Sequence, residues 1–430
     1  MRIAVNALFL VPGQVGGTET YLRRLLAEAP ALLAPGEELL VFANAENAET
    51  LSADLRGAPR TKVVPTGVRA ASRVRRVLFE NLGLPRSLAA AGADVLWNPG
   101  NAAPLRAPCP QVTTVHDMQY RRFPEDFPPL ALAAMRLLVP AAVRRSARTI
   151  AVSEFSRSEI LSLVPGASPE RVVAVPEAAD PFFAEDVPGE TVARRALELA
   201  GSGDPLLLVV SNSYPHKSLE TAALAFGRLC GRFPHRLLVI GRPRLGEPAL
   251  AAALAALPDP SRAVRIEYAS RADLAALYRA ADLLLFPSRY EGFGLPVLEA
   301  MSAGLPVVAA REGSVPEVAG DAALYARAGD PEDFARAAAS LLSDPAARAR
   351  LSAAGRERAA LFSWRRAAER TLDVLRSAAA ERTIGVLRAA AAERTLDVLR
   401  SAAAERTLDV LRSAAAERTL DVLRSAAAHS

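Results

Sequence analysis

The segment "FPSRYEGFGLPVLEAM", residues 286–301, joins an apolar run to a helical pattern through a glycine-rich turn. The preceding "ADLLLFPS" predicts a buried strand, and "PVLEAMSAG" predicts a helix with Pro296 in its first turn. Glu291 lies in the turn and Glu299 lies inside the helix. The turn leaves backbone N–H groups free to meet an anion. A strand, a tight turn and a helix with two incidental acids remain the alternative at this point.

The same alternation of short apolar runs and helical patterns extends in both directions along the chain. Strands are predicted in the first half at "RIAVNALF", "ELLVFAN", "KVVPT", "DVLWNP", "QVTTVHD" and "RTIAVS", and in the second half at "PLLLVVS", "RLLVIGR", "VRIEYA", "DLLLFPS" and "PVVAA". Helical patterns between strands indicate an α/β fold, with parallel sheets covered on both faces.

A Pro-rich and acidic segment, "VVAVPEAADPFFAEDVPGE", separates the two series and predicts a hinge. We therefore predict two doubly wound, Rossmann-like domains, residues 1–177 and 178–362. A helix over 363–380 would dock back on the body, and 381–430 would form a helical repeat tail. Because ligands bind at the carboxyl ends of parallel strands, the cleft between the two domains is the predicted site.

Composition limits the classes of protein. The 430 residues are 51% hydrophobic and 23% charged, with a net charge of +5 from 52 basic and 47 acidic side chains. This mild excess, without interleaved basic and aromatic motifs, predicts no nucleic-acid partner. Two cysteines, Cys109 and Cys230, provide no disulfide framework. The first residues lack a signal-peptide pattern and no apolar run is long enough to span a bilayer, so we expect a cytoplasmic protein.

The tail repeats "AAERTLDVLRSA" almost unchanged, with a glutamate every twelve residues from Glu369 to Glu417. Twelve residues rotate a helix by about 120° beyond whole turns, so the Leu-Val-Leu patch spirals instead of forming one stripe. This differs from a coiled-coil heptad. We interpret the copies as tandem duplication without a catalytic role. Self-association through the exposed patches is the alternative.

Several residues outside the opening segment occupy positions suited to binding. Gly16 and Gly17 lie between the first strand and first helix, where a backbone approaches an anion closely. A plain tight turn is an equal alternative there. His116 ends the strand "QVTTVHD", and Lys217 lies between a strand and a helix. A structural histidine and an ordinary solvated lysine are the alternatives for these two.

The segment "LYRAADLLLFPSRYEGFGLPVLEAMSAGLPVVAAREGSVPEVAGDAAL" closely resembles the retaining glycosyltransferases of the GT4 type, which have the GT-B fold. The resemblance covers about residues 1–378. It includes "GGTE", "TVHD", "VSEFSRSEI", "VVAVPEAADPFF", "VIGR" and "FSW". "VHD" followed by "FPEDFP" is most similar to the mannosyltransferase-like branch.

The resemblance implies a role for each matching residue. His116 and Glu291 would be catalytic, with His116 near the reacting centre and Glu291 on the transferred sugar. Glu299 would bind the ribose hydroxyls and Lys217 the diphosphate. The remaining donor contacts would be backbone groups of Phe293, Gly294, Leu295, Gly16 and Gly17.

The chain departs from this pattern at Ser211, where many relatives have an arginine six residues before the lysine. His216 or Arg242 would then share the charge of the diphosphate. The resemblance implies transfer of a sugar, with GDP-mannose or UDP-glucose as donor and a glycan or lipid-linked acceptor. It implies no metal or other cofactor. The alternatives are an epimerase or hydrolase of sugar nucleotides, or a non-catalytic sugar-nucleotide-binding scaffold assembled through the tail.

An arginine set, Arg69, Arg73, Arg75 and Arg76, lies within a helical pattern that also carries Val74, Val77 and Leu78. We interpret this set as a solvated helix face. The alternative is a basic amphipathic surface that docks on an anionic membrane from the inner face, to reach a lipid-linked acceptor.

Overall fold

The computed structural model describes residues 1–14, 16–381, 400 and 406. The chain divides into two compact units, 1–378 and 379–430. The predicted helical repeat tail and its self-association lie almost entirely outside the described residues. Among these residues, the helices are too short or too polar to cross a bilayer. The first unit holds all the elements that follow.

A parallel sheet of seven strands forms the first half of this unit, counted over the described residues and in the order β3-β2-β1-β4-β5-β6-β7. Its strands are β1 (Arg2–Asn6), β2 (Glu38–Ala43), β3 (Thr61–Pro65), β4 (Val95–Asn98), β5 (Gln111–Val115), β6 (Arg148–Ala151) and β7 (Val172–Ala174). Its helices are α1 (Gly17–Glu28), α2 (Ala48–Asp54), α3 (Arg73–Ala91), α4 (Gln119–Arg122), α5 (Pro129–Arg145) and α6 (Glu154–Leu163).

A second parallel sheet follows, six-stranded over the described residues, in the order β10-β9-β8-β11-β12-β13. Its strands are β8 (Leu206–Val210), β9 (Arg236–Ile240), β10 (Ala263–Ile266), β11 (Leu283–Phe286), β12 (Val307–Ala310) and β13 (Leu324–Ala326). Its helices are α7 (Gly189–Ala200), α8 (Leu219–Leu229), α9 (Glu247–Ala255), α10 (Arg271–Ala280), α11 (Leu295–Ala303), α12 (Val315–Ala319), α13 (Pro331–Leu342) and α14 (Pro345–Ala359).

Continuous apolar strands are typical of sheets covered by helices on both faces, because neither face meets water. Strand β11, "LLLF", is buried at each residue, and so is β12, "VVAA". In each sheet the chain order reverses once, between β1 and β4 and between β8 and β11. Such switch points open a crevice at the carboxyl ends of the strands. The predicted α/β fold with two doubly wound sheets is confirmed.

Two strands were not predicted. The start of the predicted hinge, Val172–Ala174, pairs with β6 as an additional strand of the first sheet. Leu324–Ala326 pairs with β12 at the edge of the second sheet. Both strands are three residues long, which is too short for a periodic pattern to be recognised.

A last helix, α15, begins at residue 364 and is described through residue 381. It buries Trp364, Leu372 and Leu375. The Arg376 guanidinium binds both carboxylate oxygens of Glu37, at 3.0 and 2.8 Å. This pair holds the pKa of Glu37 below its usual range. The helix therefore packs back on the first sheet's half of the unit.

Candidate active site

A cavity of about 520 Å³ lies between the two sheets. Its walls come from the carboxyl ends of β8, β9, β10 and β11, from the start of α1, and from the segments that follow β5 and β7. Many of the residues that the sequence singled out line it: Gly16, Gly17, His116, Lys217, Arg242, Glu291, Phe293, Gly294 and Leu295. Segments far apart in the chain are thus brought to one cavity, as the switch points require.

The turn between β11 and α11 forms one wall. Gly294 takes a φ of 96° as the residue before the helix, a conformation that favours glycine. The backbone carbonyl of Glu291 accepts hydrogen bonds from the backbone N–H and the hydroxyl of Ser314, at 3.2 and 3.1 Å. These contacts fix the backbone from which the Glu291 side chain reaches the cavity.

Gly292 joins this turn to the first half of the unit. Its carbonyl accepts hydrogen bonds from the hydroxyls of Ser153 and Ser156, at 2.6 and 3.0 Å. A Cβ atom built on Gly292 would lie 2.1 Å from the carbonyl oxygen of His116. The two backbones can approach this closely only because residue 292 has no side chain.

Lys217 and Glu291 form an ion pair inside the cavity, with 2.7 Å between the Lys217 ammonium and Glu291 Oε1. Both side chains are largely buried, at 18% and 10% exposure. Among 52 basic residues the chain has one other lysine, Lys62. An ammonium differs from a guanidinium in being a compact point charge, which suits contact with phosphate. The choice of lysine at 217 in an arginine-rich chain is a signal that sequence reasoning missed.

The glycine loop before α1 faces this pair from the first sheet. Gly13 donates its N–H to Oε2 of Glu19 at 2.7 Å, which folds the loop over the start of the helix. The Arg242 guanidinium lies 3.9 Å from the Cβ that Gly13 lacks, so it reaches across the cavity. Within the described residues, no carboxylate forms a salt bridge with Arg242. Ser211 lines the same cavity.

His116 lies at the end of β5 with both ring nitrogens near acceptors. Its Nε2 lies 2.8 Å from the carbonyl oxygen of Pro99, and its Nδ1 lies 3.4 Å from Oε1 of Glu177. The Tyr21 ring packs edge-on against the imidazole, with 4.8 Å between ring centres. Glu177 also lines the cavity. It falls inside the segment predicted as a hinge and within the motif "VVAVPEAADPFF", but it was not singled out as a site residue.

Glu299 is placed one helical turn beyond Leu295 and is not among the cavity-lining residues. Its Oε2 accepts a hydrogen bond from the Tyr278 hydroxyl at 3.1 Å. Burial raises the pKa of Glu299 to about 7, more than the Tyr278 hydrogen bond lowers it. The carboxyl group therefore changes protonation state near neutral pH.

His216 is placed away from the cavity, in contrast to its expected contact with diphosphate. The ring is buried, and its Nδ1 lies 2.5 Å from Oδ2 of Asp126. The side-chain nitrogen of Gln119 lies 2.9 Å from the same ring nitrogen. His216 comes from the second half and these partners from the first. His216 thus joins the two halves of the unit. Its side chain is directed into the protein interior, whereas the side chain of its neighbour Lys217 is directed into the cavity.

Two facing parallel sheets with a cavity between their switch points, and a C-terminal helix that packs back on the first sheet's half, define the GT-B class of glycosyltransferases. HepE of Anabaena, solved with UDP and glucose, has a TM-score of 0.69 at 20% identity, covering 88% of this chain and all of that one. The chain is also 31% identical over 268 residues to O-antigen chain mannosyltransferase B of Escherichia coli, 61% of this chain and 69% of that protein.

The family model for Glycosyltransferase Family 4 matches residues 15–181, and that for Glycosyl transferases group 1 matches residues 194–358. A D-inositol 3-phosphate glycosyltransferase of Kineococcus radiotolerans is 33% identical over 255 residues, 55% of this chain and 58% of that protein. The chain belongs to the GT4 family of glycosyltransferases.

Proposed function

We propose that this chain transfers a hexose from a nucleoside-diphosphate sugar to a glycan or lipid-linked oligosaccharide, with retention of the anomeric configuration. The observation that carries the proposal is the Lys217–Glu291 pair inside the cavity. It provides a cation for a diphosphate beside a carboxylate for sugar hydroxyls. GDP-mannose is the first candidate donor, because the Escherichia coli relative is a mannosyltransferase. UDP-glucose is the second, because HepE was solved with UDP and glucose.

The charges of the cavity support a diphosphate in this position. Breaking the anomeric C–O bond leaves negative charge on the leaving diphosphate, and fixed cations stabilise that charge most when water is excluded. Lys217 would supply one cation, and Arg242, which reaches Gly13, would supply the other. Arg242 would thereby replace the arginine that many relatives have at the position of Ser211. We propose that these cations make a metal ion unnecessary.

The backbone groups around the cation complete the proposed donor site. The N–H of Leu295, at the start of α11, and those of Gly16 and Gly17, at the start of α1, would donate to phosphate oxygens. The acceptor hydroxyl would attack from the face of the leaving group, and a donor phosphate oxygen would take its proton. Glu299 would meet the ribose hydroxyls from beneath the cavity surface.

The start of helix α3 supports a membrane-bound acceptor. Val74, Leu78 and Leu82 are spaced four residues apart and are exposed at 72%, 55% and 60%. Residues at this spacing form one stripe on a helix. Arg73 and Arg75 are exposed beside the stripe. The helix follows β3 and so begins at the carboxyl edge of the sheet, the edge at which His116 lies. An anionic bilayer at this stripe would bring a lipid-linked acceptor to the cavity.

Donor binding and turnover test the proposal directly. Wild-type protein would be titrated with GDP-mannose, UDP-glucose and UDP-GlcNAc by calorimetry, and product release would be measured with candidate lipid-linked acceptors. Lys217→Ala should lose donor binding, whereas Lys62→Ala, which removes the chain's other lysine, should keep it. Release of free sugar or an isomer without acceptor would instead identify a hydrolase or epimerase. Binding without any turnover would identify a scaffold.

A further inference from the structure

His116 and Glu177 form a pair at the junction of the two halves of the unit. His116 follows β5, and Glu177 follows β7 in the segment that leads to the second sheet. Both side chains line the cavity, yet they are only 11% and 4% exposed. The 3.4 Å between His116 Nδ1 and Glu177 Oε1 is a contact between charged groups when the ring carries two protons.

The partners of the two ring nitrogens determine where the protons lie. A backbone carbonyl accepts hydrogen bonds and cannot donate them, so His116 Nε2, 2.8 Å from the Pro99 oxygen, carries a proton. An ionised carboxylate is also an acceptor only, so Nδ1, which faces Glu177, carries a proton as well. A ring with a proton on each nitrogen is a positively charged imidazolium.

We propose that Glu177 is a positioning residue that keeps His116 as an oriented imidazolium, so that His116 serves sugar transfer as a hydrogen-bond donor and a fixed positive charge. This inference rests on the proposed function for its catalytic part. A substrate oxygen beside Nδ1 can accept a hydrogen bond from the N–H that faces Glu177. The ring has no free lone pair and does not act as a base. No proton leaves His116 during the transfer.

The electrostatic surroundings agree with this geometry. Burial lowers the pKa of His116, but Glu177, the Pro99 carbonyl and Asp117 together outweigh burial, so the pKa is raised above 6.5. From α1, Tyr21 faces the ring as a neutral phenol, because burial raises the pKa of its hydroxyl. The nearby turn carries Glu291, whose charge is paired with Lys217.

Two further hydrogen bonds, from residues before β5 and in α6, fix the backbone of His116. The side-chain oxygen of Asn101 accepts the backbone N–H of His116 at 2.7 Å. Ser156 donates its hydroxyl to the His116 carbonyl at 3.0 Å. These groups are neutral and contact only the His116 backbone, so the charged ring is favoured by the carboxylates of Glu177 and Asp117 together with the Pro99 carbonyl.

The protonation state can be measured without any assay of activity. The chain has four histidines, so imidazole ¹⁵N signals of labelled protein are few, and His116→Asn assigns the one of interest. We expect the pKa of His116 in the wild type to lie above 6.5. In Glu177→Gln the pKa of His116 should be lower than in the wild type. Glu159→Gln, which removes another nearly buried carboxylate, paired with the half-exposed Arg122, is the matched control and should leave the His116 pKa unchanged.

The rate of transfer provides the second readout. Glu177→Gln should lower kcat by about tenfold to a hundredfold, the range found when a carboxylate that orients a metal-bound histidine is removed. The alkaline limb of its pH–rate profile should shift to lower pH, and Glu177→Asp should restore part of both. A destabilised fold alone would not move the limb. A wild-type His116 that titrates at or below 6.5, or equally in Glu177→Gln, would overturn the inference.

The two proposals fail in different ways. A raised pKa of His116 in a protein that transfers no sugar would overturn the proposed function and the catalytic part of the inference. The charge pair between His116 and Glu177 would then still stand. Sugar transfer by a protein in which the pKa of His116 is not raised would support the proposed function and overturn the role of Glu177.

Discussion

The ammonium of Lys217 lies 2.7 Å from Oε1 of Glu291, and the two residues are 74 positions apart in the chain. Lys217 follows β8 and Glu291 follows β11, the two strands at the switch point of the second sheet. A diphosphate bound at Lys217 would therefore compete with Glu291 for the same cation. This competition allows the two proposed roles to be separated by experiment.

Glu291→Gln should bind the free nucleoside diphosphate several-fold more tightly than the wild type, because Lys217 no longer has a competing carboxylate. The same variant should transfer sugar more slowly, since Glu291 is the proposed sugar contact. Calorimetry with GDP and UDP measures the first effect and initial rates measure the second. Weaker binding of both nucleotides in Glu291→Gln would argue against a phosphate site at Lys217.

Gly292→Ala should destabilise the fold by roughly 2 kcal/mol or more, the range for overpacking against an unyielding neighbour. The added methyl would lie 2.1 Å from the backbone oxygen of His116, which cannot rotate away. Thermal or denaturant unfolding measures the loss. Gly203→Ala is the control, since a Cβ there meets no atom within 4 Å and its φ is not positive. Equal stabilities of the two variants would refute the close approach at residue 292.

Glu299 should make stability and donor binding depend on pH in opposite directions. Its pKa is raised by burial from 4.5 to about 7, so the folded state favours the protonated carboxyl. Its contribution to the free energy of unfolding is fully present below 4.5 and is lost as the pH rises through about 7. Glu299→Gln should flatten unfolding free energies measured across this window, whereas Glu357→Gln, at an exposed position, should not.

Donor affinity should change in the other direction across the same pH range. A ribose diol donates hydrogen bonds best to an ionised carboxylate, so affinity should rise as Glu299 loses its proton near pH 7. Calorimetric titrations of donor from about pH 5.5 to about pH 8.5 would follow this rise in affinity. Proteins are generally most stable close to this pH range. Glu299→Gln should bind the donor weakly at every pH. A pH dependence that survives this substitution would assign the effect to another group.

The apolar stripe on α3 should mediate binding to anionic membranes. Replacing Leu78 and Leu82 by Gln should reduce sedimentation with phosphatidylglycerol vesicles, because buried apolar area supplies much of such binding. Phosphatidylcholine vesicles should bind the wild type less, and added salt should weaken the binding to anionic vesicles. Leu137→Gln, on α5 and 68% exposed in the wild type, is the matched control. Unchanged sedimentation of the α3 variant would exclude the stripe as the membrane contact.

Particular elements show why prediction succeeded in some places. Strand β11 is a continuous apolar run before a glycine turn, so its pattern predicts a buried strand without reference to any other segment. The cavity position of Lys217, Glu291 and His116 follows from the same rule, since each lies in the segment between a parallel strand and the next helix. By contrast, His216 adjoins Lys217 in the chain but points to Asp126, which no local pattern encodes.

The sequence by itself determined the two parallel sheets and the family, because these depend on local periodicity and on one long motif. The tertiary structure decided which side chains meet. It paired Lys217 with Glu291 and placed Glu177 against His116. It also directed the His216 side chain into the protein interior. These contacts join residues from separate elements. Their distances depend on how the two sheets pack together, and that packing is a property of the whole chain.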